Sequence, residues 1–379
     1  MYTNDFVRRM QSPGGERRHG RSLHMDIPLL MILIALCIGG LLVLYSASGQ
    51  SLFYVKRQAL FMLAGFAAMV VVAQFPVRFW ERWAVLFYCI GLISLVVVLF
   101  FGVGAKGAQR WLDLGLTRFQ PSELMKVAVP MMVSAYLGKR YIPPRFTHIL
   151  ATLALILMPV LLIVKQPDLG TAILIFASGC FVLFLAGLRK RYLISAFLMA
   201  LAAIPSLWFF VMRDYQKQRV LTLLSPEDDK LGAGWNIIQS TTAIGSGGLN
   251  GKGWTLGTQS QLNFLPESHT DFIIAVLAEE FGLIGVLTLC AAYLLLIGRC
   301  MVIALNSQSQ FGRLIAGSLS LTFFIYVFVN MSMVSGILPV VGVPLPLISY
   351  GGTAIVTLFL GFGILMAIST EPKRIRIEL

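Results

Sequence analysis

Apolar runs, each about as long as a bilayer's hydrocarbon core is thick, leave this chain few ways to fold. A spanning helix needs about 20 predominantly apolar residues. Ten such runs follow one another, at 27–46, 58–74, 84–102, 122–138, 148–164, 169–187, 192–212, 272–298, 314–336 and 345–368. Only 12% of the residues are charged, against roughly 25% in a soluble domain, so there is too little polar surface to cover a water-exposed globule. Backbone groups in hydrocarbon must be satisfied within the segment, which helices achieve. The expectation is an all-α integral membrane protein of about ten transmembrane helices. A single domain over 27–370 would lie between a basic N-terminal tail (1–26) and a short C-terminal tail (371–379).

The net charge of +13 would point to nucleic acid in a soluble chain. Here the cations collect beside the spans, where they set orientation, and no nucleic-acid partner is expected. With the N-terminus inside, Arg8, Arg9, Arg17, Arg18 and Arg21, the RKR at 189–191 and the KRIR at 373–376 all fall on the cytoplasmic side. Both termini are then cytoplasmic. The first run resembles a signal peptide, but no small-residue cleavage site follows it, so it reads as a retained helix. The five cysteines stand singly, without metal-ligand spacing, so neither a disulfide framework nor a zinc site is expected.

One long connection, 213–270, falls outside the membrane, between helices 7 and 8. Loops beyond about 15 residues are uncommon unless functional or disordered. Within it, Trp235, Ile238 and Thr242 share one helical face, as in a short helix lying at the interface. GLNGKG (248–253) superficially resembles a phosphate loop. Ser246 occupies the first required glycine position and Gly253 follows Lys252, so nucleotide binding is rejected.

Carboxylates and prolines gather where helices 4, 6 and 8 begin on that same outer side. These are Pro121, Glu123 and Lys126; Lys165, Pro167 and Asp168; and Pro266, Glu267 and Asp271. Singly, each acid is explained as a cap that complements the helix dipole, and Ser268 to Asp271 has the form of a capping box. Together, with Lys126 on the face of Glu123 one turn into a span, they point to a polar cavity. On a continuous helix 8, Glu279 and Glu280 would lie about 12 Å below Asp271; a helix projecting above the bilayer would instead leave them near the surface. Lys56, Arg57, Lys106, Arg110 and Arg118 add cations to this side, with Trp111 among them. A lone arginine there snorkels or binds lipid phosphate. As a group with the carboxylates, they suit a lipid-linked phosphate or pyrophosphate, with a divalent ion. Finally, PVVGVPLPLISYGG (339–352), containing Ser349 and Tyr350, breaks regular helix, which is tolerable only where buried or lining a cavity.

These residues carry a resemblance. YSAS (45–48), KRQ (56–58), GAQRWLDLG (107–115), QPSELMK (120–126), QPDLGTA (166–172), GWNIIQS (234–240), LPESHTDFI (265–273), AEEFGLIG (278–285) and PLPLISYGGTA (344–354) make the chain similar to the SEDS family of bacterial cell-wall polymerases. The form LNFLPES favours its RodA, or elongation, branch. The resemblance implies a peptidoglycan glycosyltransferase at the outer face of the bacterial cytoplasmic (inner) membrane. It would join lipid II units, release undecaprenyl pyrophosphate and serve elongation and rod shape. The family's invariant aspartate matches Asp271, expected to act as general base in an inverting displacement. Its polar cavity matches Glu123, Lys126 and Asp168, and Lys165 and Ser349 are expected to line it. Lys126, Arg57 and Arg110, or a divalent cation (Mg or Mn) on Glu123 or Asp168, would neutralise the leaving diphosphate. Implied partners are lipid II, the undecaprenyl-linked glycan, membrane lipid, the elongation machinery and a class B penicillin-binding transpeptidase meeting helices 8 and 9. A flippase is the main rival, but no internal repeat is visible and the polar residues favour one face. A mere scaffold would not need Lys126 inside a span.

Overall fold

A computed structural model describes residues 24–372, except 106–107, 114, 116–117, 213, 230–232 and 262–266. The basic residues of both tails, Lys106 and Pro266 lie outside the described residues.

Each apolar run becomes a helix. The first seven are α1 (Ile27–Ala47), α2 (Leu52–Gln74), α3 (Val77–Phe101), α4 (Pro121–Gly138), α5 (Phe146–Lys165), α6 (Leu169–Leu185) and α7 (Lys190–Ser206), the last running into a π-helical turn at Leu207–Val211. After the long connection, which holds α8 (Asp214–Leu224), α9 (Ala233–Gly247) and α10 (Thr258–Gln261), come α11 (Ile273–Asn306), α12 (Gln310–Val334) and α13 (Gly352–Ser369). Seven of these are long and apolar enough to cross a membrane by length and composition. Leu63, Ile93, Phe100 and Phe210 stand exposed on the bundle's surface, as suits a surface whose solvent is lipid.

The boundaries depart from the apolar runs for physical reasons. Helices α2 and α3 start earlier because helix continues through charged residues such as Arg57 and Arg78 once it leaves hydrocarbon. α13 starts only at Gly352, because the prolines of 339–346 remove backbone donors and hold the chain out of helix. The all-helical expectation also misses a small antiparallel sheet, β1 (Val103–Ala105), β2 (Ala108–Asp113) and β3 (Arg118–Phe119), in order β1-β2-β3.

α9 is a helix as expected, but the face it buries is Ile237, Ser240 and Ala243, which pack toward α11 and α12. Trp235 and Ile238 are half-buried and Thr242 is exposed. The side that packs on protein is thus not the side that carries Trp235, Ile238 and Thr242.

The continuous helix 8 is corrected. Asp271 precedes the helix, and α11 itself is broken at Gly282 (φ 64°, ψ −161°). The glycine-rich stretch docks on that break. Leu283 N–H donates to Gly248 O (2.9 Å) and Ile284 N–H to Leu249 O (3.2 Å), while Lys252 N–H and Gly253 N–H donate to the carbonyls of Glu279 and Glu280 (3.0 Å each). Backbone approaches backbone so closely that a Cβ on Gly251 would collide with Glu280 O, which explains glycine there. Glu279 and Glu280 are fully buried within the protein. Glu279 Oε1 accepts from Lys252 Nζ (2.8 Å), Gln259 N–H (2.8 Å) and Thr258 Oγ1 (3.2 Å), and Glu280 accepts from Ser46 Oγ. They fasten the long connection and α1 to α11. At the far end of the bundle, Asp26 caps α1 and pairs with Arg299 Nη2 (2.6 Å) and Ser369, tying α1, α11 and α13 together.

Candidate functional site

The proline-rich segment 339–351 is the spine of the site. Lacking helix, it needs outside partners for its backbone. Asn330 of α12 donates to Val343 O (2.7 Å), Gln58 of α2 donates to Ser349 O (2.9 Å), and Tyr350 N–H donates to His269 O (2.9 Å).

Asp271 stands where the loop before α11 meets this spine. It is half-buried, and a Cβ built on Gly342 would lie 3.5 Å from its Oδ2. Gly342 has φ 79°, a left-handed conformation that glycine adopts without penalty, so the backbone can pass close to the carboxylate. The capping-box reading fails here. Ser268 Oγ donates to Ala47 O (2.9 Å) on α1, and the N-cap position of α11 falls to Phe272.

Three crevices open along the spine. Pro344 to Leu347 and Ser349 line the first together with Glu123 and Lys126. There Lys126 Nζ lies 2.6 Å from Glu123 Oε1 and 4.6 Å from the ring centroid of Tyr326. Pro339, Val340 and Val341 line the second with Asp168, Arg110 and Arg219. Tyr350, Gly352 and Thr353 line the third with Arg57, Arg118 and Trp111. Glu123, Lys126, Asp168, Arg57, Arg110 and Ser349 are therefore divided among three crevices that share one segment, and Asp271 meets that segment at Gly342 without lining any of the three. Lys165 is exposed at the end of α5 and outside the linings of these crevices.

The acids are already engaged. Asp168 caps α6 through Thr171 N–H (3.3 Å), accepts from Gln120 Nε2 (3.2 Å) and lies 3.8 Å from Arg110 Nη1, so it is a cap and at the same time lines a crevice. Glu123 is matched by Lys126. Among the described residues, no group of three or more His, Cys, Asp or Glu could hold a metal ion, and Glu123 and Asp168 do not fit a resident ion because Lys126 and Arg110 already balance their charge. Ser349 Oγ is likewise spent inside the protein, donating to Thr270 O (2.6 Å) and accepting from Leu345 N–H (2.8 Å).

His269 lies against Tyr54, ring centroids 5.0 Å apart. Burial holds its imidazole below the ordinary value of about 6.5, with Glu267 opposing. The unfolded chain therefore takes up a proton before the folded one does. As pH falls from about 7 to 5, the thermal midpoint of the wild type should drop more steeply than that of His269→Asn. Parallel curves would mean that His269 titrates as it does in the unfolded chain.

Two members of this site were missed by sequence reasoning: Asn330 and the amide of Gln58, both fully buried. Their signal was available, since a strongly polar residue inside an apolar run generally has a task.

A family model described as "Cell cycle protein", for FtsW, RodA and SpoVE, matches residues 27–374. The chain is 57% identical over 351 residues to the peptidoglycan glycosyltransferase MrdB of Escherichia coli, covering 93% of this chain and 95% of that one. It is 39% identical over 361 residues to the probable peptidoglycan glycosyltransferase FtsW of Geobacter sulfurreducens, covering 92% and 96%. Among solved structures, it is similar to a chain from a peptidoglycan synthase complex described for its structural coordination of polymerization and crosslinking. That match has a TM-score of 0.80 and 30% identity, over 91% of this chain and 97% of that one. The rod shape determining protein RodA of Thermus thermophilus matches with a TM-score of 0.69 at 27% identity, over 91% and 96%.

Proposed function

Because the chain belongs to the family of FtsW, RodA and SpoVE cell cycle proteins and is a multi-pass peptidoglycan glycosyltransferase, we propose that it joins lipid II disaccharides into glycan at the outer face of the bacterial inner membrane. Its termini would be cytoplasmic, and undecaprenyl pyrophosphate would leave. The observation that carries the chemistry is the seat of Asp271 against Gly342, on the segment from which all three crevices open.

The acceptor is a sugar 4-hydroxyl, too weak an acid to ionise alone. The Asp271 carboxylate takes its proton as the oxygen attacks the donor's anomeric carbon, which typically contributes 10²–10⁴-fold. The bond to the diphosphate breaks as the new glycosidic bond forms, and the diphosphate departs with the electron pair. One such displacement turns an α-linked donor into a β-linked product, with no covalent enzyme intermediate.

Both substrates carry a lipid-linked diphosphate, and two of the crevices offer paired arginines. Arg57 and Arg118 stand with Trp111 and Tyr350, and Arg110 stands with Arg219. Guanidinium forks suit phosphate oxygens, and aromatic faces suit sugar rings. Lys126 keeps donors beyond the one given to Glu123. A divalent cation, Mg or Mn, is proposed as a companion of the substrate's diphosphate rather than as a resident of Glu123 or Asp168; undiminished turnover after thorough chelation would remove it.

Replacing Arg57 and Arg118 together by Gln should raise KM for lipid II by about tenfold or more, since a hydrogen bond to a charged group contributes about 1.5–3 kcal/mol. An unchanged KM would exclude that crevice from substrate binding. The likeness to a synthase-complex chain supports a class B penicillin-binding transpeptidase as partner, meeting α11 and α12.

A further inference from the structure

Asp271 lies just ahead of the N-cap of α11, so no helical ladder fixes its backbone. Buried side chains from elsewhere do so instead. Asn330 on α12 is fully buried, and its single Nδ2 donates to both Asp271 O (2.9 Å) and Val343 O (2.7 Å). Val343 adjoins Gly342, the residue that faces the Asp271 carboxylate. One amide thus fastens the loop of the acid to the spine at the point where the two approach. Ser349 makes the parallel tie one residue earlier, with its hydroxyl between Thr270 O and Leu345 N–H.

The residue type fits this task. An amide nitrogen presents two protons to two carbonyls, whereas a carboxylate would set oxygen against oxygen and leucine would present nothing. Its Oδ1 is buried without a hydrogen-bond partner, a cost that leucine would not carry, so packing alone does not explain an amide here.

We infer that Asn330 and Ser349 are positioning residues for the catalytic carboxylate, clamping the Asp271 loop to the segment 339–351. The inference rests on the reading of Asp271 as general base. A misplacement of about 1 Å can lower a rate by about 10²-fold, so the effect belongs in kcat.

The test uses the full chain in detergent or proteoliposomes, with lipid II polymerisation followed as kcat and KM and folding followed by thermal midpoint. Asn330→Leu should lower kcat about 10²-fold with KM for lipid II within about threefold of wild type and a folded, cooperatively melting protein. Ser349→Ala should lose kcat in the same way and Ser349→Thr, which keeps the hydroxyl, should recover most of it. In an Asp271→Asn background, Asn330→Leu should add little, because the group it positions is gone. Wild-type kcat in both Asn330→Leu and Ser349→Ala would overturn the inference, as would losses that multiply fully with Asp271→Asn. If Asn330→Leu does not fold, the Ser349 pair decides: equal kcat in the Ala and Thr variants overturns the clamp. Normal polymerisation by Asp271→Asn would instead sink the general-base reading itself, whatever the clamp variants do.

Discussion

Asp271→Asn is expected to abolish glycan polymerisation while leaving the protein folded. The amide matches the carboxylate in shape but cannot take a proton from a sugar hydroxyl, so kcat should fall by about 10²–10⁴-fold. Folding should survive, because the loop is held through the backbone of His269, Thr270 and Asp271, by Tyr350, Ser349 and Asn330 respectively. A loss confined to kcat, with KM for lipid II little changed, is the signature of a group that acts in the transition state. A variant that polymerises normally would return Asp271 to the role of a helix-terminal acid.

Gly282→Ala should remove the folded protein altogether or lower its stability by several kcal/mol. At φ 64° and ψ −161° the backbone is in a region that is essentially glycine's alone, which costs about 1–3 kcal/mol for another residue. The new Cβ would also collide with Gly251 N and Leu249 O. Pushing the glycine-rich stretch away breaks the bonds from Leu283 and Ile284 to Gly248 and Leu249, and it parts Glu279 from Lys252. Each buried group left unpaired costs about 1–3 kcal/mol, and more when charged. Gly298→Ala is the control on the same helix. Nothing lies within 4 Å of its would-be Cβ, and alanine there should be neutral or slightly stabilising. Thermal melting in detergent compares the two; equal midpoints would mean that the glycine-rich dock does not hold α11.

What was legible in the sequence is what hydrocarbon enforces. Apolar length revealed the ten helices, and the spacing of Glu123 and Lys126 put them on one helix face, where the two lie 2.6 Å apart. The Asp271 loop was harder, because Ser268 and Asp271 imitate a local cap while their real partners, Ala47 and the spine, lie far away in sequence. Glu279 and Glu280 were opaque for the same reason. Their partners are a lysine and backbone groups in a loop some 20–30 residues earlier and a serine at the end of α1. Lys165 adjoins Asp168 in sequence, yet it stands exposed at the end of α5 while Asp168 is buried. Asn330 was visible all along as an amide inside an apolar run, but nothing local said which carbonyls it would meet.

The most direct measurement is polymerisation of lipid II by the full chain with its transpeptidase partner, the partner's own active site blocked by a β-lactam. Glycan chains with β-linkages should form, one undecaprenyl pyrophosphate should be released for each bond, and both should disappear with Asp271→Asn. Lipid II left unpolymerised by the wild-type pair, or chains that form equally well without the Asp271 carboxylate, would contradict catalysis at this site.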